Sequence, residues 1–411
     1  MKKLKLAIIG LGQRGNGLLN GYLIRQKDIE ITHVCDLYAD RAETFAKKII
    51  EEKGDQTKAV TDYREVLNSD TEAVIVSTTW RTHIEIAIAA LRAGKITAME
   101  VGGAYSIEEC FDLVRAYEET KSPFMFLENC CYNRDELLAL RLARAGVFGE
   151  IVHCSGAYSH DLRYEISHGK ELRHYRLNEY LTRNCENYPT HELGPIAKIL
   201  GINRGNRMVS LVSMSSKASG MERYIKNNAE KLDKDLQGKH FAQGDIVYTL
   251  IKCANGETIT LKLDTTLPGY YDRELVVKGT DGMYKQNSDT VFVDGIENAD
   301  EEIWLPVDSV RKLIGNASKY EHLLPRVWRE TTGDEKESGH LGIDGIMLRD
   351  FINRAKSGKE MPIDVYDAAA WMAVTALSER SIRDGSVPME FPDFTNGKWR
   401  DRKAFDCLAE E

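Results

Sequence analysis

The sequence has no long apolar run and no long basic run. Nowhere does it approach the about 18 consecutive apolar residues that a membrane-spanning helix needs. Its formal net charge is −9 at pH 7 and its lysines are interspersed with acids, which argues against a nucleic-acid surface. It also contains no internal repeat and no low-complexity tract. We therefore expect no membrane and no nucleic-acid partner, and a small molecule as the ligand.

The eight cysteines include no Cys-x-x-Cys pair, which is the spacing of many zinc sites and redox motifs. Cys130 and Cys131 are adjacent, but vicinal disulfides are strained and rare. We expect packed, reduced thiols and no metal site. Residues 1–9 imitate the start of a secretion signal, yet the apolar run is short and continues into a glycine-rich turn. These features predict a cytoplasmic protein whose first residues form a strand.

The glycine-rich turn follows this first apolar run. Gly10, Gly12 and Gly15 form the pattern Gly-x-Gly-x-x-Gly. In a dinucleotide site the first glycine permits a tight turn, the second lets backbone approach a pyrophosphate, and the third allows close packing of helix on strand. The following helix would direct free N–H groups at the phosphates, and Gln13 and Arg14 lie at its start. The pattern predicts a dinucleotide-binding turn.

Asp36 ends the next apolar run, about twenty residues beyond the glycines. A carboxylate at that place accepts hydrogen bonds from the adenosine ribose hydroxyls and repels a 2′-phosphate. We therefore predict NAD rather than NADP as the cofactor.

The order of strand-like and helix-like stretches predicts two domains, as the length of 411 residues also does. Up to about residue 128 strands and helices alternate, which indicates an α/β Rossmann domain with a doubly wound parallel sheet. After a helix near 134–145 the chain becomes strand-rich, which indicates an α+β domain with a large, mainly antiparallel sheet. The predicted strands of this second part are 151–158, 207–216, 245–253, 257–266 and 273–278.

We place an NAD-binding domain at residues 1–130 and a substrate and oligomerisation domain at residues 131–411. The final helix, near 366–383, is expected to pack back toward the first domain. The lysine-rich segment 221–243 is predicted to be a surface insertion or a lid.

Polar and aromatic residues follow the buried strands of the first domain, at the sheet edge where open α/β sheets bind ligands. In a functional interpretation Trp80 would cover the nicotinamide ribose and His83 would face the cofactor. In an equally weighted structural interpretation Trp80 would be a packing residue and His83 a helix-start residue bonded to backbone. Glu128 and Asn129 end a later strand, where a carboxylate and an amide would orient sugar hydroxyls or the cofactor.

Glu100 and Val101 end another strand of this sheet. The position resembles the Glu-Lys-Pro turn of the Gfo/Idh/MocA oxidoreductases, in which the lysine commonly serves the hydroxyl that is oxidised. Valine cannot move a proton, so dehydrogenase chemistry here would need another acid-base group.

Tyrosine, histidine and arginine are dense on short stretches of the second domain. The candidates for a polar site are Tyr158, Arg176, Tyr188 and His191. Both Tyr158 and His191 also have a purely structural interpretation. Tyr158 would then be an outward-facing residue at a strand end, and His191 a helix-start residue that is hydrogen-bonded locally. No metal-ligand spacing is present here, because Glu192 beside His191 would point elsewhere on a helix.

Together these motifs resemble glycoside hydrolase family 109, the NAD-dependent α-N-acetylgalactosaminidase branch of Gfo/Idh/MocA. The narrow matches are Glu-Asn-Cys-Cys-Tyr at 128–132 and Tyr-Pro-Thr-His-Glu-Leu-Gly-Pro at 188–195, and Leu-Pro-Gly-Tyr-Tyr at 267–271 resembles a substrate loop of the family. The resemblance runs to about Arg273 and includes the closing helix. It implies a carbohydrate substrate and a homo-oligomer.

The resemblance also implies a reaction in which NAD oxidises C3 of the sugar, a base removes the C2 proton, and the C1 substituent is eliminated. Water then adds, and the hydride returns to C3. Tyr158 is implied as the C2 base, and His191 as the group that exchanges the C3 hydroxyl proton, as a histidine can near neutral pH. The remaining implied contacts are Tyr188, Glu128, Arg176 and Tyr271 on the sugar and Trp80, His83, Glu100, Val101 and Asn129 on the cofactor.

Two other functions stay open. A plain NAD-dependent sugar or cyclitol dehydrogenase would release NADH each turnover, with His191 in place of the missing lysine. A non-catalytic dinucleotide-binding sensor would keep the fold without chemistry.

Overall fold

The computed structural model describes residues 2–297, 311–330 and 342–409. These residues group into two compact units. The first contains residues 2–132 and 342–373, and the second contains residues 133–297, 311–330 and 374–409. The division of the chain into domains at residue 130 stays a prediction.

The helices follow the expected alternation in the first part of the chain and continue through the second. The helix Ile107–Thr120 shows why the sequence begins a helix where it does: Ser106 Oγ accepts the Glu109 N–H at 3.1 Å, and the Glu109 carboxylate accepts the Ser106 N–H at 3.0 Å. The described α-helices are α1 Gln13–Gly21, α2 Ala39–Lys53, α3 Tyr63–Leu67, α4 Trp80–Arg92, α5 Ile107–Thr120, α6 Arg134–Arg144, α7 Arg163–Ser167, α8 Arg176–Thr182, α9 Thr190–Ile199, α10 Gly220–Asn227, α11 Arg326–Arg329, α12 Ile343–Ser357 and α13 Val365–Arg383.

The first unit contains a six-stranded parallel sheet. Its strands are β1 Leu4–Ile9, β2 Ile29–Cys35, β3 Lys58–Val60, β4 Ala73–Val76, β5 Ile96–Met99 and β6 Phe124–Phe126. The order β3-β2-β1-β4-β5-β6 is that of doubly wound dinucleotide-binding sheets. All four residues of β4 are buried, because helices cover both faces of such a sheet. The predicted Rossmann fold is confirmed.

The second unit contains an eight-stranded mixed sheet. Its strands are β7 Ile151–Ser159, β8 Met208–Ser215, β9 Ile246–Cys253, β10 Thr258–Asp264, β11 Val276–Gly279, β12 Gly282–Lys285, β13 Thr290–Val293 and β14 Met389–Glu390. The order is β13-β12-β11-β7-β10-β9-β8-β14, with β7 and β10 parallel and the other described pairs antiparallel. The predicted α+β fold with a mainly antiparallel sheet is confirmed.

The segment 221–243 was predicted to be a surface insertion or a lid; most of its residues are exposed, and its role as a lid stays a prediction. It contains helix α10, on which Met221 and Ile225 are buried, and it also buries Leu236 and Phe241. Residues four apart share one face of a helix, so the two apolar positions pack while the charged residues of the helix are exposed. Two apolar positions give only a weak helical period in the sequence.

Two further expectations concern cysteines and membranes. All eight cysteines are buried free thiols, and their role as packing residues stays a prediction. Among the described helices, none combines the length and the apolar character needed to cross a membrane.

Candidate active site

The glycine-rich turn between β1 and α1 has the geometry of a phosphate-binding loop. Gly10 has φ of +97°, and a Cβ there would lie 2.5 Å from the carbonyl oxygen of Ser77. A Cβ on Gly15 would clash with the carbonyl oxygen of Gly10. By contrast, a Cβ on Gly12, the N-cap of α1, would meet no atom within 4 Å. Two glycines therefore close the turn, and the third leaves open space at a helix N-terminus, where a pyrophosphate fits.

Asp36 is held beside this turn by two backbone hydrogen bonds. Its Oδ2 accepts the Leu11 N–H at 2.7 Å, and its Oδ1 accepts the Tyr38 N–H at 3.0 Å. A carboxylate has about four lone-pair sites, so each oxygen keeps a further site for a ribose hydroxyl. Asp36 itself is 7% exposed, and the next residue, Leu37, is 82% exposed. The carboxylate is thus fixed in place and still able to bind a ligand.

Three of the predicted cofactor residues meet in one ion-pair network within the first unit. Arg14 binds both carboxylate oxygens of Asp344, at 2.7 and 2.9 Å, and donates from Nε to Glu100 at 2.9 Å. Asn129 donates to the same Asp344 at 2.8 Å. Burial raises the pKa of Glu100, and the charge of Asp344 adds to this while Arg14 opposes it. Asp344 on α12 was not predicted, because no spacing in the sequence links it to the glycine turn.

Trp80 and His83 lie on the first turn of α4, and both are buried. Trp80 packs against Gly102, where any Cβ would collide with the indole. His83 donates from Nε2 to the Thr78 carbonyl oxygen at 2.6 Å, and burial lowers the pKa of its imidazole to about 4. The imidazole is therefore neutral at physiological pH. The contacts of both residues with a cofactor stay predictions.

Val101 and Glu128 are also buried in the first unit. The Val101 N–H donates to the Glu100 carboxylate at 3.3 Å, and the Cys130 N–H donates to Glu128 Oε1 at 3.0 Å. Both carboxylates thus fix the backbone of the turns that follow their strands. The predicted contact of Glu128 with a sugar is not tested by this arrangement.

Three predicted catalytic side chains form an aromatic cluster in the second unit. Tyr158 lies at the end of β7, Tyr188 lies just before α9, and His191 lies on the first turn of α9. The ring centroids are 4.8 Å apart for Tyr158 and Tyr188, 5.5 Å for Tyr158 and His191, and 4.8 Å for Tyr188 and His191. Tyr271 joins the cluster with its ring centroid 6.2 Å from that of Tyr158. Sequence positions separated by more than a hundred residues are therefore brought together.

Arg176 supplies a positive charge beside this cluster. Its guanidinium carbon is 5.3 Å from the centroid of the Tyr188 ring, and it forms a close ion pair with Glu165. Burial raises the pKa of Tyr158, and the charge of Arg176 opposes that rise. The phenol is therefore protonated at rest, beside a cation that stabilises its anion.

His160 is a member of the cluster that was not predicted from the sequence. Its Nδ1 lies 3.0 Å from the hydroxyl oxygen of Tyr158. Residues two apart at the end of a strand point to the same side, so the spacing from Tyr158 was an available signal. The second unit thus carries phenol, imidazole and guanidinium groups in mutual contact, a set able to move protons and bind hydroxyls.

The two parts of the chain match two family models. Residues 4–127 match the oxidoreductase family with an NAD-binding Rossmann fold, and residues 132–401 match the C-terminal domain of glycosyl hydrolase 109. The chain belongs to glycosyl hydrolase family 109. Its first part is accordingly a nicotinamide-dinucleotide-binding Rossmann domain.

Relatives of this family 109 protein match over nearly the whole chain. An α-N-acetylgalactosaminidase of Tannerella forsythia is 36% identical over 97% of this chain and 88% of its own length. An α-N-acetylgalactosaminidase of Shewanella oneidensis is 33% identical over 100% and 89%. Levoglucosan dehydrogenase in complex with NADH has the same fold, with a TM-score of 0.68 at 18% identity, covering 95% of this chain and all of that one.

Proposed function

We propose that this family 109 protein is an NAD-dependent glycoside hydrolase of the α-N-acetylgalactosaminidase type. The observation that carries the proposal is the cluster of Tyr158, Tyr188 and His191 beside Arg176. A phenol that is stabilised as its anion can remove a carbon-bound proton. Val101, at the place of the dehydrogenase lysine, cannot transfer protons.

The residues of the glycine turn fit a dinucleotide, since Gly12 leaves open space at the start of α1 and Asp36 retains acceptor sites. Gly10, Gly15, Gln13 and Arg14 complete this end of the proposed site. Asp36 favours NAD, because its charge would repel the 2′-phosphate of NADP. When bound, the nicotinamide accepts hydride from C3 of the sugar and returns it at the end of the turnover.

The side chains of the second unit perform the proposed proton transfers. His191 takes the C3 hydroxyl proton and later restores it, and Tyr188 donates a hydrogen bond to the same oxygen. Tyr158 removes the proton from C2. Loss of that proton expels the C1 substituent, and water adds to the unsaturated sugar.

The order of these steps follows from carbon acidity. A C–H bond loses its proton to a side-chain base only when a neighbouring carbonyl delocalises the charge, so C2 becomes acidic after C3 is a ketone. Most glycosidases instead protonate the leaving group with one of a pair of carboxylic acids. We propose that Glu128, Arg176 and Tyr271 position the sugar, and that Trp80, His83, Glu100, Val101 and Asn129 contact the cofactor.

The test uses p-nitrophenyl α- and β-hexosaminides and hexosides with the NAD-loaded protein in deuterated water. We expect cleavage of the α-N-acetylgalactosaminide without net NADH, and deuterium at C2 of the released sugar. The protein stripped of nucleotide should be inactive and regain activity with NAD. Cleavage that persists after complete removal of nucleotide would refute the proposal.

The same assay separates the two alternatives. Net NADH formed from free sugars, without glycoside cleavage, would identify a dehydrogenase. A sensor would bind the nucleotide but neither cleave glycosides nor reduce NAD, and replacement of Tyr158 or His191 would change nothing.

We also propose a homo-oligomer and a cytoplasmic location. The eight-stranded sheet supports a homo-oligomer. On β9, Tyr248 is 52% exposed and Leu250 is 48% exposed, and Met214, which lies opposite Tyr248 on β8, is 65% exposed. Exposed apolar side chains in one patch mark association surfaces. Light scattering of the wild type and of Tyr248→Lys tests this: the wild type should be larger than a monomer and the variant smaller than the wild type.

A further inference from the structure

His160 is held in a defined place against Tyr158. The Tyr158 hydroxyl oxygen and His160 Nδ1 are 3.0 Å apart, with the two rings edge to face at 86°. The backbone N–H of His160 donates to the Asp264 carbonyl oxygen at 2.9 Å. Its imidazole meets the Tyr271 ring edge to face at 90°, with ring centroids 5.1 Å apart. The backbone and the side chain of His160 are thus both fixed, so the surrounding structure holds its imidazole in place for the hydrogen bond with Tyr158.

The environment of the pair sets which partner donates. Tyr158 is buried, and burial raises the pKa of its phenol, so the hydroxyl keeps its proton at rest. Burial and the charge of Arg176 lower the pKa of His160, and His191 lowers it further. The carboxylates of Glu165 and Asp161 oppose this shift. A neutral imidazole offers one nitrogen lone pair. The phenol is therefore the donor and Nδ1 of His160 the acceptor.

A protonated phenol is a poor base unless its own proton has somewhere to go. We propose that His160 is a positioning residue that receives the Tyr158 proton while Tyr158 takes the C2 proton of the sugar. This inference rests on the proposed function.

The step is balanced in atoms and electrons. The C2–H bond breaks, and its electron pair moves into the adjacent carbonyl as an enolate. That proton bonds to the Tyr158 oxygen, the original O–H bond breaks, and a new N–H bond forms at His160 Nδ1. Tyrosine remains neutral and His160 becomes an imidazolium, near the carboxylates of Glu165 and Asp161 that oppose the charge of Arg176. The attacking water then gives hydroxide to C1 and a proton to the departing group. Tyr158, whose proton has by then exchanged with solvent, reprotonates C2, and His160 Nδ1 returns a proton to the Tyr158 oxygen.

The test compares His160→Asn and His160→Phe in the NAD-loaded protein. Asparagine keeps a polar atom near the place of Nδ1 and can hold the phenol, but it cannot take a proton. His168→Asn is the matched control, since His168 stacks on Tyr164 with ring centroids 4.0 Å apart and has no place in the proposed machinery. Melting temperature and bound nucleotide establish that each variant is folded and loaded.

We expect both His160 variants to lose about 100-fold in kcat, the usual size of an acid-base contribution, with KM changed less than about threefold. Deuterium exchange at C2 should slow in parallel. Reduced nicotinamide should still form in a single turnover, because C3 oxidation precedes the blocked step. A role in packing alone would not separate hydride transfer from C2 exchange in this way.

Two results would overturn the inference. If His160→Asn retains C2 exchange and kcat within about threefold of the wild type, the histidine only orients Tyr158 and accepts no proton. If the wild-type protein itself shows no C2 exchange, the proposed function fails and the inference with it. The first result leaves the proposed function intact, so the two failures are distinguishable.

Discussion

Glu186 should make this protein less stable as the pH rises. Its side chain is fully buried, and neither carboxyl oxygen has a hydrogen-bond partner in the described structure. Its backbone is tied to α13, because the Glu186 N–H donates to Ser378 Oγ and Thr375 Oγ1 donates to the Glu186 carbonyl oxygen, both at 2.8 Å. The side chain therefore cannot move to solvent without breaking these bonds. Burial raises the pKa of Glu186 from 4.5 to about 8.

The sign follows from the proton balance between the folded and unfolded chains. Below pH 4.5 the carboxyl is protonated in both, and its titration has no effect. Between pH 4.5 and about 8 the folded chain keeps a proton that the unfolded chain releases, so stability falls with rising pH. One pH unit corresponds to about 1.4 kcal/mol, so the loss at pH 7 is of the order of 3 kcal/mol.

Glu186→Gln removes this titration while keeping the size of the side chain. The variant should match the wild type in stability near pH 4.5 and exceed it increasingly toward pH 8. At about 2–4 °C per kcal/mol for a domain of this size, the gain in Tm of the second unit at pH 7 is of the order of 10 °C. Calorimetric scans of both proteins across this range of pH measure the difference.

Glu171→Gln is the control, because Glu171 is an exposed glutamate of the same unit. It reports what a glutamine in place of a glutamate does to Tm when no buried carboxyl is removed. An equal Tm difference between Glu186→Gln and the wild type at every pH would refute the reasoning. The reasoning would also fail if stability fell between pH 5 and pH 8 by the same amount in Glu186→Gln and in the wild type.

The first unit allows three further tests. Gly12→Ala should keep the wild-type Tm but bind NAD at least tenfold more weakly by calorimetric titration, whereas Gly15→Ala should lower Tm because its Cβ would clash with backbone. Asp344→Ala should weaken NAD binding about tenfold, since Arg14 loses a bidentate partner; unchanged affinity would contradict a role in the site. The ¹⁵N shifts of His83 should stay those of a neutral imidazole from about pH 8 to about pH 5, because burial holds its pKa near 4.

The fold was predictable because its signals are local. The fully buried β4 appears in the sequence as an unbroken β-branched run, and the Ser106–Glu109 capping box marks the start of α5. The glycine turn was equally predictable, since Gly10 and Gly15 satisfy conformational and packing demands within a few residues of chain. The short helix α10 was missed because two apolar positions give only a weak helical period.

The site was predictable only in part. Tyr158, Tyr188 and His191 were selected from dense polar stretches and a family resemblance, and the structure brings their rings together. Asp344 was not found, because its contact with Arg14 joins residues 330 positions apart and one aspartate among many carries no local signal. Contacts of that kind are fixed by the tertiary fold, and sequence spacing does not encode them.

The cluster around Tyr158 also gives a physical reason why the proposed base is a phenol, although a carboxylate is the commoner protein base. A carboxylate there would lie beside Arg176, and the ion pair would lower its pKa and weaken it as a base. A phenol hydroxyl can donate one hydrogen bond and accept another, so Tyr158 can accept the C2 proton while its own proton passes to a neighbour. The cost is that a buried phenol stays protonated, as the raised pKa of Tyr158 indicates. A protonated phenol acts as the proposed base only if a neighbour takes its proton during the reaction, and the contact of Tyr158 with a neutral His160 would meet that requirement.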